Sequence, residues 1–121
     1  MLILICGPTR AGKTTYSQQF ENDFKVIHLD YCGGSLKHRY ENVKNMIKDL
    51  DGDVVVEGLY LTSPEREELI KEYKGNKTKC IYINTPLEIR KHRRGYYNMC
   101  EYYFELPTYK EGWDEIEIIE N

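Results

Sequence analysis

The sequence predicts an α/β domain with a mainly parallel five-stranded sheet and helices on both of its faces. Short apolar runs alternate with helix-like segments along the chain, which is the pattern of this class. The first run, LILIC at residues 2–6, is apolar at every position, as in a central strand that is covered on both faces. A length of 121 residues suits one core, so we expect residues 1–121 to form a single domain.

Four further strands are expected after the first. The runs KVIHLD at 25–30, DVVVEG at 53–58 and KCIYIN at 79–84 repeat the theme of a short apolar run. The last run, EIEII at 115–119, alternates between acidic and apolar residues, which predicts an edge strand with one wet face. The step Glu111-Gly112-Trp113 is interpreted as a turn that enters this strand.

The helix between the second and third strands has one apolar stripe and a clear start signal. Ser35 precedes it and is the expected N-cap. Apolar residues recur there at spacings of four and three, which predicts that one face packs on the sheet. The members of the stripe are Leu36, Tyr40, Val43, Ile47 and Leu50.

Two later helices have start signals of a different kind, in which a proline follows the capping residue. Ser63 is the expected cap of the third helix, with Pro64 at its first position. Thr85 is the expected cap of the fourth helix, with Pro86 in the first turn. Glu88 would complete a capping box there.

The charge and cysteine content exclude several function classes. A net charge of −3 and a pI near 5.6 give no global attraction for a long nucleic-acid track or an anionic membrane. The four cysteines lie far apart without a CxxC spacing, which favours reduced thiols over a disulfide framework or a zinc site. The chain has no signal peptide and no long apolar run, so we expect a cytoplasmic protein that does not engage a membrane.

The stretch GPTRAGKTT at residues 7–15 matches the Walker A pattern and predicts a phosphate-binding loop. Its glycines let successive backbone N–H groups point at one anion, and the following helix adds its positive N-terminal end. Lys13 is expected to reach the β and γ phosphates, and the Thr14 hydroxyl to ligate Mg²⁺. We therefore expect ATP and Mg²⁺ to bind, with contacts from Gly7, Pro8, Thr9, Arg10, Ala11, Gly12, Lys13, Thr14 and Thr15.

Two acidic residues fit the rest of a phosphoryl-transfer site. Asp30 ends the second predicted strand, and ligands of doubly wound sheets bind beyond the carboxyl ends of the strands. It is a candidate general base for an acceptor hydroxyl, or else the cap of a turn before Gly33. Glu57 closes VVVE and is a candidate Mg²⁺ ligand, directly or through water; alternatively, it bonds the backbone of the phosphate-binding loop.

The segment RKHRR at 90–94 is the main basic cluster of an otherwise acidic chain. Cations near the transferred phosphate supply much of the catalysis in phosphoryl transfer, so Arg90, Arg93 and Arg94 are candidate catalytic residues on a lid. Gly95 would let this lid hinge. The other interpretation is a solvated helix face, which is the usual fate of a charge run.

Five stretches together resemble the small P-loop kinases of the polynucleotide kinase type, which transfer the γ-phosphate of ATP to the 5′-hydroxyl of DNA or RNA. They are GPTRAGKTT, HLDY with Asp30, VVVEGLYLTSPEREELIK, TPLEIRKHRRG and FELPTYKEGWDEI. The resemblance implies the P-loop kinase fold, with Lys13 and Thr14 handling ATP and Mg²⁺. It also implies that Asp30 is the general base and that the basic segment is the lid. Which of the three arginines acts stays open.

The acceptor is the open question of the sequence. Members of this family usually carry an arginine shortly after the catalytic aspartate, whereas here Arg39 is the first candidate. Only the 22 residues from 31 to 52 separate Asp30 from the next strand, which argues against a large closed acceptor pocket. The main hypothesis is a kinase for a nucleic acid end or nucleotide. The alternatives are a small-metabolite or nucleoside monophosphate kinase, and a non-catalytic ATP-binding regulatory module.

Overall fold

A single five-stranded parallel sheet organises the computed structural model, which describes residues 1–50, 52–93 and 104–121. The strand order is β2-β3-β1-β4-β5, so the first strand lies at the centre, as its apolar sequence predicts. The expected five-stranded sheet is thereby confirmed. The strands are β1 (Leu2–Cys6), β2 (Lys25–His28), β3 (Val54–Glu57), β4 (Thr78–Asn84) and β5 (Glu115–Glu120).

Helices cover both faces of this sheet. They are α1 (Lys13–Ser17), α2 (Leu36–Ile47), α3 (Ser63–Glu72) and α4 (Leu87–Arg90). Short 3-10 turns add to them at Gln18–Phe20, Leu29–Tyr31 and Tyr109–Glu111. Every residue of β1 is buried, because alternate side chains supply two separate cores. Leu2 and Leu4 pack on the side of α2 and α3, whereas Ile3 and Ile5 pack on the opposite side with Tyr16 and Phe20.

The predicted start of α2 is confirmed, but the two proline-linked starts are wrong in detail. Ser35 caps α2 by accepting a hydrogen bond from the backbone N–H of His38. The third helix begins one residue earlier than expected, at Ser63, so that Thr62 is its N-cap residue. The Thr62 hydroxyl bonds the carboxylate of Glu65, and the Ser63 hydroxyl donates 2.8 Å to Glu105 Oε1. The Thr62 hydroxyl thus has a local partner on the same helix, whereas the Ser63 hydroxyl has a distant one.

Thr85 is not the cap of the fourth helix, and the predicted capping box with Glu88 is absent. The Thr85 hydroxyl is buried and donates 2.7 Å to the carbonyl oxygen of Ala11. Pro86 occupies the N-cap position of α4 instead. Glu88 pairs with Lys91 at 2.8 Å on the surface, and this bond holds the pKa of Glu88 below its ordinary value. The capping sequence does not determine the structure here, because the Thr85 hydroxyl instead donates to the phosphate-binding loop above it.

The predicted edge position of β5 is confirmed, but its faces do not divide into one wet and one dry: Ile118 is 54% exposed, whereas Ile116 and Ile119 are partly buried against opposite cores. Its only strand partner among the described residues is β4. Lys79 on β4 bridges two carboxylates of β5, at 2.9 Å to Glu115 and 2.8 Å to Glu117. These paired carboxylates raise the pKa of Lys79. Opposite charges across neighbouring strands therefore reinforce the edge of the sheet.

A buried ion pair anchors the C-terminal part of the chain. The Arg66 guanidinium on α3 donates from Nε and Nη2 to the two Glu111 carboxylate oxygens, at 2.9 and 3.0 Å. Trp113 Nε1 donates to the same carboxylate at 2.9 Å, and Phe104 lies over the guanidinium at 5.6 Å. The step Glu111-Gly112-Trp113 is therefore more than a turn, because it delivers the counter-ion of a buried cation.

Cys6, Cys32 and Cys80 are free thiols, and Cys100 lies outside the described residues. Burial raises the pKa of Cys32. Within the described ranges, every helix is too short or too polar to cross a bilayer. The cytoplasmic setting stays a prediction.

Candidate nucleotide site and catalytic cleft

The phosphate-binding loop runs between β1 and α1, as the Walker A pattern requires. Gly7 has φ +155°, and a Cβ atom there would lie 2.7 Å from the Ile83 carbonyl oxygen. Gly12 has φ +104° at the N-terminus of α1. A side chain at either position would strain the loop, so both glycines are needed for its curl. The Thr85 hydroxyl supports the loop from below through Ala11.

Lys13 bends back over the loop. Its ammonium donates to the carbonyl oxygens of Gly7 at 3.0 Å and Pro8 at 2.8 Å. Burial lowers the pKa of Lys13, and the nearby carboxylate of Glu57 opposes this effect. A cation that is partly stripped of water interacts strongly with a polyanion, because the local dielectric constant is low. This geometry suits the predicted phosphate contact.

Thr14 and Glu57 meet at the base of the cleft. The Thr14 hydroxyl donates 3.2 Å to Glu57 Oε1, and the Glu57 side chain is only 5% exposed. His28 contacts the same oxygen through Nδ1 at 2.7 Å. Both predicted Mg²⁺ ligands are thus brought side by side, while the alternative bond from Glu57 to the loop backbone is not formed among the described residues. A hydroxyl and a carboxylate are oxygen donors of the kind that Mg²⁺ prefers.

Asp30 lies just beyond the end of β2, in the 3-10 turn Leu29–Tyr31, because the strand stops two residues earlier than expected. Its side chain is 72% exposed and faces Arg39, whose Nη1 is 3.5 Å from Oδ1. Arg39 is held in turn by a 3.1 Å bond from Nε to the Gly34 carbonyl oxygen. A carboxylate on this turn and a guanidinium on α2 thus lie side by side.

The predicted site residues of the turn and β3, and those of the loop from Thr9 to Thr15, line one open cavity of about 420 Å³, whereas Gly7 and Pro8 do not line it. The residues around it are Thr9, Arg10, Ala11, Gly12, Lys13, Thr14, Thr15, Asp30, Glu57, Leu59 and Arg93. A second cavity of about 610 Å³ lies on the other side of the loop and shares part of this lining. Apolar side chains of Tyr16, Ile83 and Ile89 contribute to the second cavity.

The three arginines of the basic segment differ in their surroundings. Arg90 is buried, and its guanidinium donates 2.8 Å to the Thr85 carbonyl oxygen and 3.2 Å to that of Thr9. Arg93 reaches the rim of the cavity and donates 2.8 Å to the Arg10 carbonyl oxygen. Arg94 lies outside the described residues. Arg90 therefore braces the loop rather than forming a solvated helix face, and catalytic roles for all three remain predictions.

His28 is the residue of this site that the sequence analysis missed. The sequence places it only in the short apolar run KVIHLD of a predicted strand, and no motif marks it. The structure shows that His28 ends β2 and Glu57 ends β3, and parallel strands end at the same edge, but the predicted strand ran on to Asp30 and hid this position. Leu59, which also lines the cavity, is likewise marked by no motif.

Comparisons with known proteins agree with the fold. No protein-family model matches the chain, and no curated protein matches its sequence. A gluconokinase from Sinorhizobium meliloti is similar in structure, with a TM-score of 0.68, 15% identity, 98% of this chain covered and 81% of that one. The chain has the P-loop kinase fold.

Two further solved structures support the same conclusion. An unliganded sugar kinase from a Janibacter species has a TM-score of 0.66 at 11% identity, covering 98% of this chain and 84% of its own. A shikimate kinase from Aquifex aeolicus has a TM-score of 0.59 at 14% identity, covering 96% and 85%. The expected fold is thereby confirmed, whereas none of these three structures is a polynucleotide kinase. They do not support the polynucleotide kinase type over other P-loop kinases.

Proposed function

We propose that residues 1–121 form a single P-loop kinase domain that transfers the γ-phosphate of ATP, with Mg²⁺, to a hydroxyl of a small molecule. One observation carries this proposal. The phosphate-binding residue Lys13, the candidate Mg²⁺ ligands Thr14 and Glu57, and the candidate base Asp30 all line the same cavity. A phosphate cradle, an oxygen pair for a cation and a carboxylate for a proton are the parts that phosphoryl transfer needs.

The nucleotide donor would extend across both cavities. Its triphosphate would lie on the backbone N–H groups of the loop, with Lys13 at the β and γ phosphates. The second cavity, with its apolar lining from Tyr16, Ile83 and Ile89, suits the nucleoside part. Thr14 and Glu57 would hold Mg²⁺, which neutralises charge on the phosphates when bound. Arg93 at the shared rim would contact the triphosphate.

Asp30 would act as the general base for the acceptor. As the acceptor oxygen bonds to the γ-phosphorus, the bond from phosphorus to the leaving ADP oxygen breaks and the hydroxyl proton passes to Asp30. Arg39 stands beside this carboxylate at 3.5 Å. It is the residue placed to hold an anionic group of the acceptor next to the reacting hydroxyl.

The three similar structures, a gluconokinase, a sugar kinase and a shikimate kinase by name, support a small-metabolite acceptor over a polymer. A nucleic acid end or a nucleotide is the second candidate. It is favoured by Tyr31, which is 78% exposed in the same turn as Asp30 and could stack on a base. The third hypothesis, a regulatory ATP-binding module without transfer, predicts no labelled acceptor.

One experiment separates these possibilities. Labelled γ-phosphate from ATP·Mg²⁺ would be offered to sugar acids, polyols, nucleosides, nucleoside monophosphates and 5′-hydroxyl oligonucleotides, with Lys13→Ala as the blank. Label on a sugar acid or polyol that vanishes in the blank would support the main proposal. Label confined to nucleosides, nucleoside monophosphates or oligonucleotides would replace it with the second candidate, and ATP binding without any transfer would favour the regulatory module.

Replacing Asp30 by Asn tests the role of the base. Transfer should fall by about 10²–10⁴-fold, because the amide cannot accept the proton, while ATP affinity should stay close to wild type. Asp23→Asn is the matched control, since Asp23 is an exposed aspartate that does not line the cavity. An equal loss of ATP affinity and transfer would show that Asp30 does not act as the base.

A further inference from the structure

His28 has no part in the proposed transfer, yet it contacts the centre of the site. It is the last residue of β2, and Glu57, the last residue of β3, is its register partner. Its Nδ1 lies 2.7 Å from Glu57 Oε1. This places a histidine directly behind the carboxylate that, with Thr14, forms the candidate Mg²⁺ site.

The direction of this hydrogen bond follows from the chemistry of its partner. An ionised carboxylate can only accept, so the His28 Nδ1 atom carries the hydrogen and donates it. Thr14 donates to the same oxygen, at 3.2 Å. No described residue donates a hydrogen bond to Oε2 of Glu57. One carboxylate oxygen is thus held by two donors, and the other is left for a cation or its water.

His28 is itself held in position. Its side chain is 19% exposed, and the ring of Tyr31 packs edge-on against it with 5.3 Å between centroids. The backbone carbonyl oxygen of His28 accepts from the Cys32 thiol at 3.4 Å. The ring therefore cannot turn away from Glu57 without losing both a partly buried hydrogen bond and an aromatic contact.

We propose that His28 is a positioning residue that orients Glu57 toward the metal ion of the bound nucleotide. Partners that orient a metal ligand in this way are worth about tenfold to a hundredfold in metal affinity or activity. This inference rests on the proposed use of ATP and Mg²⁺, but it does not depend on which acceptor is phosphorylated. It predicts that His28 matters for the metal-dependent part of ATP binding and not for the rest.

The test compares ATP binding with Mg²⁺ and with EDTA, by calorimetry, in wild type and two variants. His28→Leu removes the donor. His28→Asn keeps an N–H group close to the position of Nδ1. The gain in ATP affinity from Mg²⁺ should fall by about tenfold or more in His28→Leu, with affinity in EDTA little changed, and should largely return in His28→Asn. Thermal melts show that the variants compared are folded.

A double-mutant cycle with Glu57→Gln guards against a purely structural effect. Once Glu57 no longer carries a charge, His28→Leu should change the gain from Mg²⁺ no further. If His28→Leu does not fold, the cycle is run with His28→Phe, which keeps a ring against Tyr31. Three results would each overturn the inference. The gain in ATP affinity from Mg²⁺ could be unchanged in His28→Leu, it could fall as far in His28→Asn as in His28→Leu, or the effects of His28→Leu and Glu57→Gln could be additive. Failure of wild type to bind ATP would instead overturn the proposed function, and this inference with it.

Discussion

We expect the free energy of unfolding to fall sharply when the buried Arg66–Glu111 pair is broken from one side. Both side chains are almost fully buried, at 0% and 1% exposure, and two hydrogen bonds join them. Burial opposes the charge on Arg66, but the bonds to Glu111 outweigh it, so the pKa of the guanidinium is raised. Glu111→Gln keeps the shape of the side chain and removes its charge. The cation would then remain buried without a counter-ion.

Breaking a buried pair from one side costs about 3–5 kcal/mol. With a urea m-value of about 2 kcal/mol/M, a domain of this size should lose about 2 M in its unfolding midpoint. Urea unfolding followed by circular dichroism would measure this. Glu68→Gln is the control, because Glu68 lies on α3, the helix that carries Arg66, and its pair with Lys44 is exposed to solvent. Its midpoint should not move.

A second arm separates the buried charge from the lost contact. Arg66→Met combined with Glu111→Gln removes the cation while leaving an amide oxygen for Trp113 Nε1. Much of the lost stability should return, because no charge is left uncompensated. If Glu111→Gln shifts the midpoint no more than Glu68→Gln does, the pair does not carry the energy that its burial implies.

Two further predictions concern the loop. Lys13→Met should reduce transfer by at least about 10²-fold yet unfold at a higher temperature than wild type at pH 7. Because burial lowers the pKa of Lys13, the folded wild type is destabilised at neutral pH by its buried charge. This destabilisation fades as pH rises toward 10.5, so the melting temperatures of wild type and variant should converge over this range. A variant that is less stable than wild type at pH 7 would contradict this prediction. Arg90→Leu should raise KM for ATP about tenfold with kcat little changed, since a charged hydrogen bond to the loop is worth about 1.5 kcal/mol. Steady-state kinetics would instead reveal a catalytic arginine if kcat alone collapsed.

The sheet and the phosphate-binding loop could be predicted because their signals are local. A strand buried on both faces must be apolar throughout, as LILIC is. The loop needs a glycine at position 7, where a Cβ atom would collide with the neighbouring strand β4. Thr14 followed from the Walker A pattern, Glu57 from its place at the end of VVVE, and Asp30 from the rule that ligands bind beyond the carboxyl ends of parallel strands. These inferences need no knowledge of distant contacts.

The failures come from groups whose partners are far away in the chain. Thr85 has the sequence of a helix cap, but a carbonyl group 74 residues earlier takes its hydroxyl. Arg66 lies among glutamates on α3, where no local signal marks it as buried, and its partner comes 45 residues later. The bond from His28 to Glu57 depends on strand register, which is known only once the order of the strands is known.

The Arg66–Glu111 pair also bears on how the chain folds as it is synthesised. Until residue 111 has left the ribosome, α3 can pack on the sheet only by burying a guanidinium that has no counter-ion. This face of the sheet therefore reaches its final packing only once Glu111 has been synthesised, about a hundred residues after the phosphate-binding loop.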